Sequence, residues 1–377
     1  MALQRGFSLI EAMVGITVGL IAVLVISQTF MSFETRKQTT TAGADAQENG
    51  LMAMTMIEQD ARNAGAGLAA VGVQRCTSYF SYYDPGTGGG PIPAFNTAAV
   101  TITDGGAAGS DSITFRTGAF LGSVPAYLSA NVAAGYDAGA ALPVDRDARV
   151  GMQNADLVLV TDEAGNCVLL QVDVPDPHAP APPPKLLTLR AGSPFNPPAA
   201  YQASASPPWP ALNAGATVYD IGKGDGTGAG FATRSYSVNA QQLRVTNTQL
   251  GVLSSTQDLV RNVVSLQARY GVANAGEESV NAWVDATGGW AGGAITAADA
   301  RRIKAVQVVV ATRSERREAD EVSSDAWFAN EVPDAGLRDA VRSSIQAALP
   351  DPEWKHYRYK IYGTIVPLRN VLWPDIK

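Results

Sequence analysis

The chain has 377 residues, of which 46% are hydrophobic and 17% charged, with a formal net charge of −7. The acidic balance argues against an overall electrostatic nucleic-acid binder. The 37 glycines and 22 prolines favour strands joined by many turns over a helical bundle, within one large or two modest domains.

Residues 1–6 form a short leader carrying Arg5 and ending at Gly6. From Ala12 to Phe33 there is no Asp, Glu, Lys or Arg. A helix needs about 20 such residues to cross a bilayer core. A secretory signal would be shorter in its apolar part and would end in a small-x-small cleavage site, which is missing here. Arg5 on the short side places the N-terminus in the cytoplasm and the bulk of the chain beyond the membrane. Glu11, one turn into the apolar run, is costly there, at most about 2.5–3.5 kcal/mol if it sat at the bilayer centre. It admits two explanations: a carboxylate snorkelling at the interface, or one that meets a cation. Cutting after Gly6 would create such a cation, the new α-amino group of Phe7.

Gly6-Phe7-Ser8-Leu9-Ile10-Glu11 resembles the class III signal of type IV prepilins and pseudopilins. That resemblance implies cleavage after Gly6 by a prepilin peptidase, N-methylation of Phe7, and a role for Glu11 as the assembly carboxylate that pairs with a neighbouring subunit's terminal amine. It also implies a pilin-like α+β fold, in which one long helix is both membrane anchor and spine of a β-rich, loop-rich domain. The expected divisions are 1–6 as cleaved leader, 7–33 as transmembrane and assembly helix, 34–68 as its amphipathic continuation, and 69–377 as a periplasmic globular domain. Gly15 and Gly19 stand in Gly-x-x-x-Gly spacing, which suits close helix packing but is also ordinary in membrane helices. The run lacks the mid-helix proline that many major pilins carry.

Further along, Thr39 to Thr41 and Gly43 weaken helix propensity, so a bend is allowed there. Leu51, Met54, Ile57, Ala61, Ala64 and Leu68 then recur at three- and four-residue steps, an amphipathic stripe ended by Gly65 and Gly67. Period-two patterning predicts strands over residues 98–103, 112–116, 156–161, 167–174, 186–189, 216–221, 234–239 and 242–247. Breaker-rich stretches separate them: 84–91, the proline run 175–184, 193–210 with exposed-looking Tyr201 and Trp209, and the glycine loop 222–230. They read as excursions on one domain. Cys76 and Cys167 are exported by the anchor's topology to an oxidising compartment. They are either bridged or two buried thiols.

Residues 258–262 suggest a short helix or turn feeding a strand at 263–270. Residues 303–312 read as a central strand, 313–321 as a solvated charged loop, 334–349 as a helix, and the alternation from Tyr357 as a last strand toward Val366. The Asp-Leu-Val…Leu-Gln-Ala-Arg-Tyr-Gly segment ending at Gly271, the Ala305-Val306-Gln307-Val308 strand with Arg313-Ser314, and the terminal Leu368-Arg369-Asn370 resemble the PilW/PulJ group of minor pilins and minor pseudopilins. Residues from about 79 to 230 show no clear counterpart in that group.

Catalytic patterns are missing. His178 and His356 are far apart and sit in no metal-like cluster. There is no Gly-x-Ser-x-Gly elbow and no Walker A sequence. Gly224-x-Gly226-x-x-Ala229 opens no helix pattern, and Asp220 with Asp225 lacks EF-hand spacing. Arg301, Arg302 and Lys304, and Arg313, Arg316 and Arg317, make two small basic groups mixed with acids. No enzyme activity, cofactor, metal or nucleic acid is therefore expected. The resemblance implies a minor pilin that helps initiate or cap a pilus, with the other minor pilins, the major pilin and the inner-membrane assembly platform as partners. It leaves open a type II secretion pseudopilin, or a tip adhesin or sensor using the aromatic loops near Tyr79, Trp209 and Trp283.

Overall fold

The computed structural model describes residues 9–68, 76–92, 95–118, 125–176, 185–223, 231–250, 253–332 and 334–372. Gly6 and Phe7, most of the proline run and the glycine loop from 224, with Asp225 and His178, lie outside the described residues.

Helix α1 (Leu9–Asn63) has 55 residues and no proline, giving a rod of about 80 Å at 1.5 Å per residue. It runs unbroken through Thr39–Gly43, where a bend was allowed. The chain then reverses at Gly65 and Gly67, both with positive φ, a conformation glycine adopts without a Cβ penalty. Its second half buries one face: Ala46, Ala53, Ile57, Ala61 and Ala64 are at most 1% exposed. The expected stripe is correct except at Leu51, which is 50% exposed. At about 100° per residue Gly50 falls roughly 20° from Ile57 but Leu51 about 120° away. Small residues, not Leu51, therefore face the sheets. Gly50 is required by contact: a Cβ there would run into the Tyr362 ring. Gly50→Ala should lower stability by about 1–3 kcal/mol, as overpacking of a closed contact does. Denaturant unfolding of the purified chain measures this.

The remaining elements are β1 (Ser78–Phe80), β2 (Val100–Thr103), β3 (Ser112–Thr117), β4 (Ala126–Tyr127), β5 (Ala141–Pro143), β6 (Asp156–Thr161), β7 (Asn166–Asp173), β8 (Leu186–Leu189), α2 (Ala199–Ser204) and β9 (Thr217–Lys223). Then come β10 (Ala232–Asn239), β11 (Gln242–Gln249), β12 (Leu253–Arg261), β13 (Val263–Val272), β14 (Ala282–Val284), α3 (Ala297–Arg302), β15 (Ile303–Arg313), α4 (Asp325–Glu331), α5 (Ala335–Ala348), β16 (Tyr359–Pro367) and α6 (Arg369–Leu372). The architecture is α+β: a long apolar helix on a large β-rich domain.

Three sheets are formed. The four-stranded sheet has the order β14-β13-β15-β16, with β15 central, as its β-branched run predicts. Val306, Val308 and Val310 face α1, and Val309 and Ala311 face α4 and α5. The five-stranded sheet has the order β12-β11-β10-β3-β2 and shares the α1 core through Ile102, Ile113, Phe115 and Tyr236. The seven-stranded sheet follows β4-β9-β6-β7-β8-β5, with β1 on β7.

One register explains the organisation. Thr117, the last residue of β3, pairs with Ala232, the first of β10. The chain thus leaves the five-stranded sheet and returns to the neighbouring position. Residues 118–231 are an excursion that builds strands β4 to β9. Both faces of that sheet are covered: Val158, Val160, Leu170 and Val172 pack on one side and Leu157, Leu159, Cys167 and Leu169 on the other. This is why β6 and β7 read as nearly continuous apolar runs.

Two expectations are corrected. Residues 258–262 are not a helix or turn: 253–261 is strand β12, paired along β11 with an Arg244–Asp258 bridge of 2.7 Å. Asn262 at φ 60° turns the chain straight into β13, a left-handed position asparagine tolerates. Nor are Tyr201 and Trp209 exposed. Trp209 is 6% exposed and sits edge-on to Phe80 at 5.8 Å, while Tyr201 is half-buried, 4.7 Å from Tyr82. Segment 193–210 folds back as α2, whose Gln202 amide donates to the Pro197 carbonyl at 3.1 Å.

Burial also leaves a titrating acid in the seven-stranded sheet. Asp220 is pushed up to about 6, chiefly by burial and then by the charge of Asp156. A carboxyl whose folded value lies above its unfolded one favours the protonated fold. Its contribution is therefore fully present below about pH 4 and lost as pH rises through about 6. Asp220→Asn keeps an acceptor for the Gly222 amide (2.8 Å). The variant should be more stable than the parent by about 1–2 kcal/mol at pH 7.5, with the difference vanishing near pH 4. Melting temperatures across that range test it.

Candidate assembly helix and its seat

The first half of α1 is a surface with no cover of its own. Residues Leu9–Glu34 contain an 18-residue stretch of mean hydropathy 2.6, and none of the span is buried. Large side chains such as Ile10, Ile16, Ile26 and Phe30 are all at least 67% exposed. A soluble protein rarely exposes a continuous apolar face of this size, so it implies lipid or other helices. Polar groups inside the run are satisfied locally: the Thr17 hydroxyl donates to the Met13 carbonyl at 3.1 Å and Thr29 to Val25 at 2.8 Å. Such satisfaction is what a hydrocarbon environment demands.

Glu11 stands in the first turn of the described helix, exposed, and no described residue forms an ion pair with it. Space is open around Gly15 and Gly19, with nothing within 4 Å of a Cβ built at either. Both therefore leave room on the helix surface for a neighbour.

The second half of α1 is held by the sheets at several points. The Thr312 hydroxyl donates to the Ala46 carbonyl at 2.8 Å, and the Tyr362 hydroxyl to Gln47 at 3.2 Å. Asp60 is 7% exposed and accepts from Arg234 at 2.8 Å and from the Tyr236 hydroxyl at 2.6 Å. Burial, and then the Asp60 carboxylate, push the Tyr236 phenol up. At the helix end the Asn370 amide lies 3.4, 3.3 and 3.1 Å from the carbonyls of Arg62, Asn63 and Ala64. These are carbonyls a helix terminus leaves without intrahelical partners. Asn370→Ala should cost about 1 kcal/mol and fray the last turn of α1, read by amide hydrogen exchange at residues 60–64.

The motif residues thus have positions. Leu368 is fully buried and its amide donates to the Lys304 carbonyl at 2.8 Å. Arg313 lies 4.4 Å over the Tyr357 ring and donates to Gln241 at 2.8 Å. Cys76 and Cys167 are bonded to each other, their Cα atoms 5.6 Å apart, linking the start of β1 to β7. The basic groups are largely neutralised: Arg302 pairs with Asp299 at 3.1 Å, Lys304 with Glu278 at 2.7 Å, and Arg317 with Glu353 at 2.9 Å. His356 sits between the Glu318 and Asp320 carbonyls at 3.1 and 3.2 Å. Among the described residues no group of three metal-ligating side chains forms.

Sequence reasoning missed Asp60, whose only signal is an acid inside the stripe Ile57-Asp60-Ala61-Ala64. It also missed the burial of Arg116.

An exposed apolar helix with a carboxylate in its first described turn, seated by its second half on a β-rich head, is the arrangement that the resemblance to prepilins implies. Residues 1–27 match the prokaryotic N-terminal methylation motif, a processing signal that implies a peptidase and contact with other pilins. Residues 219–370, from within β9 to Asn370, match the family described as Type IV Pilus-assembly protein W. With the methylation motif at one end and the PilW match at the other, the chain is similar to PilW-like prepilins at both ends, and the two matches support a membrane-anchored minor pilin of the type IV pilus. Residues 28–218, including most of the seven-stranded sheet, lie outside both. No curated protein and no solved structure matches the chain.

Proposed function

We propose that this protein helps initiate or cap type IV pilus assembly, entering the filament through α1. The observation that carries the reading is the outer half of α1: a largely apolar span of 26 residues, none buried, with Glu11 unpaired among the described residues. In the bilayer this helix is an anchor with its N-terminus cytoplasmic and the sheets periplasmic. In a filament the same face packs on neighbouring helices. Prepilin peptidase cuts after Gly6, Phe7 becomes the methylated terminus, and Glu11 receives a neighbour's amine. The assembly platform supplies the work, with other minor pilins and the major pilin as lateral partners.

The excursion at 118–231 supports a position at the end of the fibre. An extra sheet on the head fits more easily where no further subunit stacks above it. The adhesin reading loses part of its basis, since Tyr201 and Trp209 pack into the head and, among the described tryptophans, only Trp283 is as much as 37% exposed. A strain lacking this chain should make far fewer surface pili while holding normal levels of major pilin in the membrane. Normal pilus number with defective protein secretion would instead indicate a type II secretion pseudopilin. Normal pilus number with lost attachment would indicate an adhesin.

A further inference from the structure

A cleft of about 750 Å³ lies where the five-stranded sheet, β1 and segment 292–301 meet, beside the far end of α1. It is about 45 Å along the helix from Glu34. Thr101, Thr103, Thr114 and Arg116 form one wall, the outward face of β2 and β3. Tyr79 and Phe95 stand on another side, edge to face at 5.7 Å. Among the described residues two arginines line the cleft, Arg116 and Arg301, and no Asp or Glu does. In a chain of net charge −7 this is a local inversion of sign.

Arg116 is 7% exposed. Its Nη1 donates to the Ala98 carbonyl at 3.2 Å and to the Thr101 hydroxyl at 3.0 Å. No described residue accepts from Nε or Nη2, and none forms an ion pair with the group. Burial pulls the guanidinium down to about 10, so it remains charged at neutral pH. A buried charge without a counter-ion is disfavoured, and arginine's planar fork matches a carboxylate through two parallel N–H donors. Arg301, at the mouth, is exposed and has no ion pair among the described residues. The threonine hydroxyls can donate or accept, and the size fits a small organic ligand.

We infer that this cleft binds a small carboxylate-bearing, polyhydroxylated ligand of the sugar-acid type, its carboxylate on Arg116 and its hydroxyls on the threonine wall. The ligand would be met outside the cell, beside the end of α1 away from the membrane span. This is a recognition function separate from assembly: it uses no residue of the outer half of α1.

Full-length protein in detergent micelles, titrated calorimetrically with D-galacturonate, D-galactose and inorganic phosphate, tests it. Galacturonate should bind saturably and galactose at least tenfold more weakly. Arg116→Gln should abolish galacturonate binding. Because Arg116 also ties β3 to the Ala98 carbonyl, two variants at less buried positions guard against misfolding: Arg301→Gln and Thr103→Val should each weaken binding severalfold with unchanged melting temperature. Equal binding of galactose, no saturable binding of galacturonate, or galacturonate binding unaffected by the two guard variants would overturn the site. Phosphate binding in place of galacturonate would overturn the carboxylate assignment.

Discussion

Glu11→Ala leaves the chain membrane-anchored and processed but lowers its recovery in sheared pili by at least about tenfold. An apolar helix moving from bilayer to filament stays in a low-dielectric setting, where an unpaired carboxylate costs about 2.5–3.5 kcal/mol at the centre of the hydrocarbon. A neighbour's terminal amine offsets that cost only in the assembled position, so the pair favours insertion over remaining in the membrane. Each 1.4 kcal/mol of that preference is a tenfold change in occupancy. Removing the acid removes the cost and the preference together: the anchor becomes easier to keep and the filament harder to enter. Glu11→Gln separates charge from shape and should behave like alanine. Immunoblots of membrane and pilus fractions read both. Equal incorporation of the alanine variant would show that the carboxylate plays no part.

The double substitution Cys76→Ser with Cys167→Ser should destabilise the seven-stranded sheet by about 4–5 kcal/mol. The bridge spans 91 residues of sequence, and closing a loop of roughly that length restricts the unfolded chain by about this amount on the entropy model. Its location adds a regional expectation. Cys76 and Cys167 sit in the cluster with Leu157, Leu159 and Leu169, apart from the cluster beneath α1. Hydrogen exchange should therefore accelerate at residues 156–173 while residues 306–310 keep their protection. Uniform loss of protection across both would show one cooperative core. Wild-type exchange rates throughout the variant would show that the bridge carries no stability.

The spine was legible because its pattern is one-dimensional. A charge-free run, one acid and a small-residue stripe specify a helix whose halves have different surroundings, and each feature lies within a few turns. Strands such as β6, β8 and β16 were legible for the same reason, from alternation or β-branching over several residues. Their assignment to sheets was not. That Thr117 pairs with Ala232, so that the intervening chain becomes a separate sheet, depends on contact across more than a hundred residues, to which local patterning is blind. Loop 193–210 looked exposed because proline, alanine and serine dominate it. Yet Trp209 had enough apolar area to pull the segment onto Phe80. Arg116 alternates outward on β3 and so reads as a solvent-facing residue. The groups that cover it, Tyr79 and segment 292–301, come from distant parts of the chain. The edge strand β12 was misjudged because its polar residues face water on a strand whose pairing partner, β11, supplies the regularity.

The excursion and the family motifs divide the molecule by task. Asn370, Leu368 and Arg313 tie the C-terminal strands to each other and to the end of α1, so the matched region is the seat of the helix. The seven-stranded sheet lies mostly outside that region.

The central claim is that α1 passes from membrane anchor to filament core. Mass spectrometry of sheared, purified pili tests it most directly. The expected result is a peptide from this chain that begins at N-methylated Phe7 and is present at far fewer copies than the major pilin. A chain found only in the membrane fraction, or one in pili that still carries residues 1–6, would contradict it.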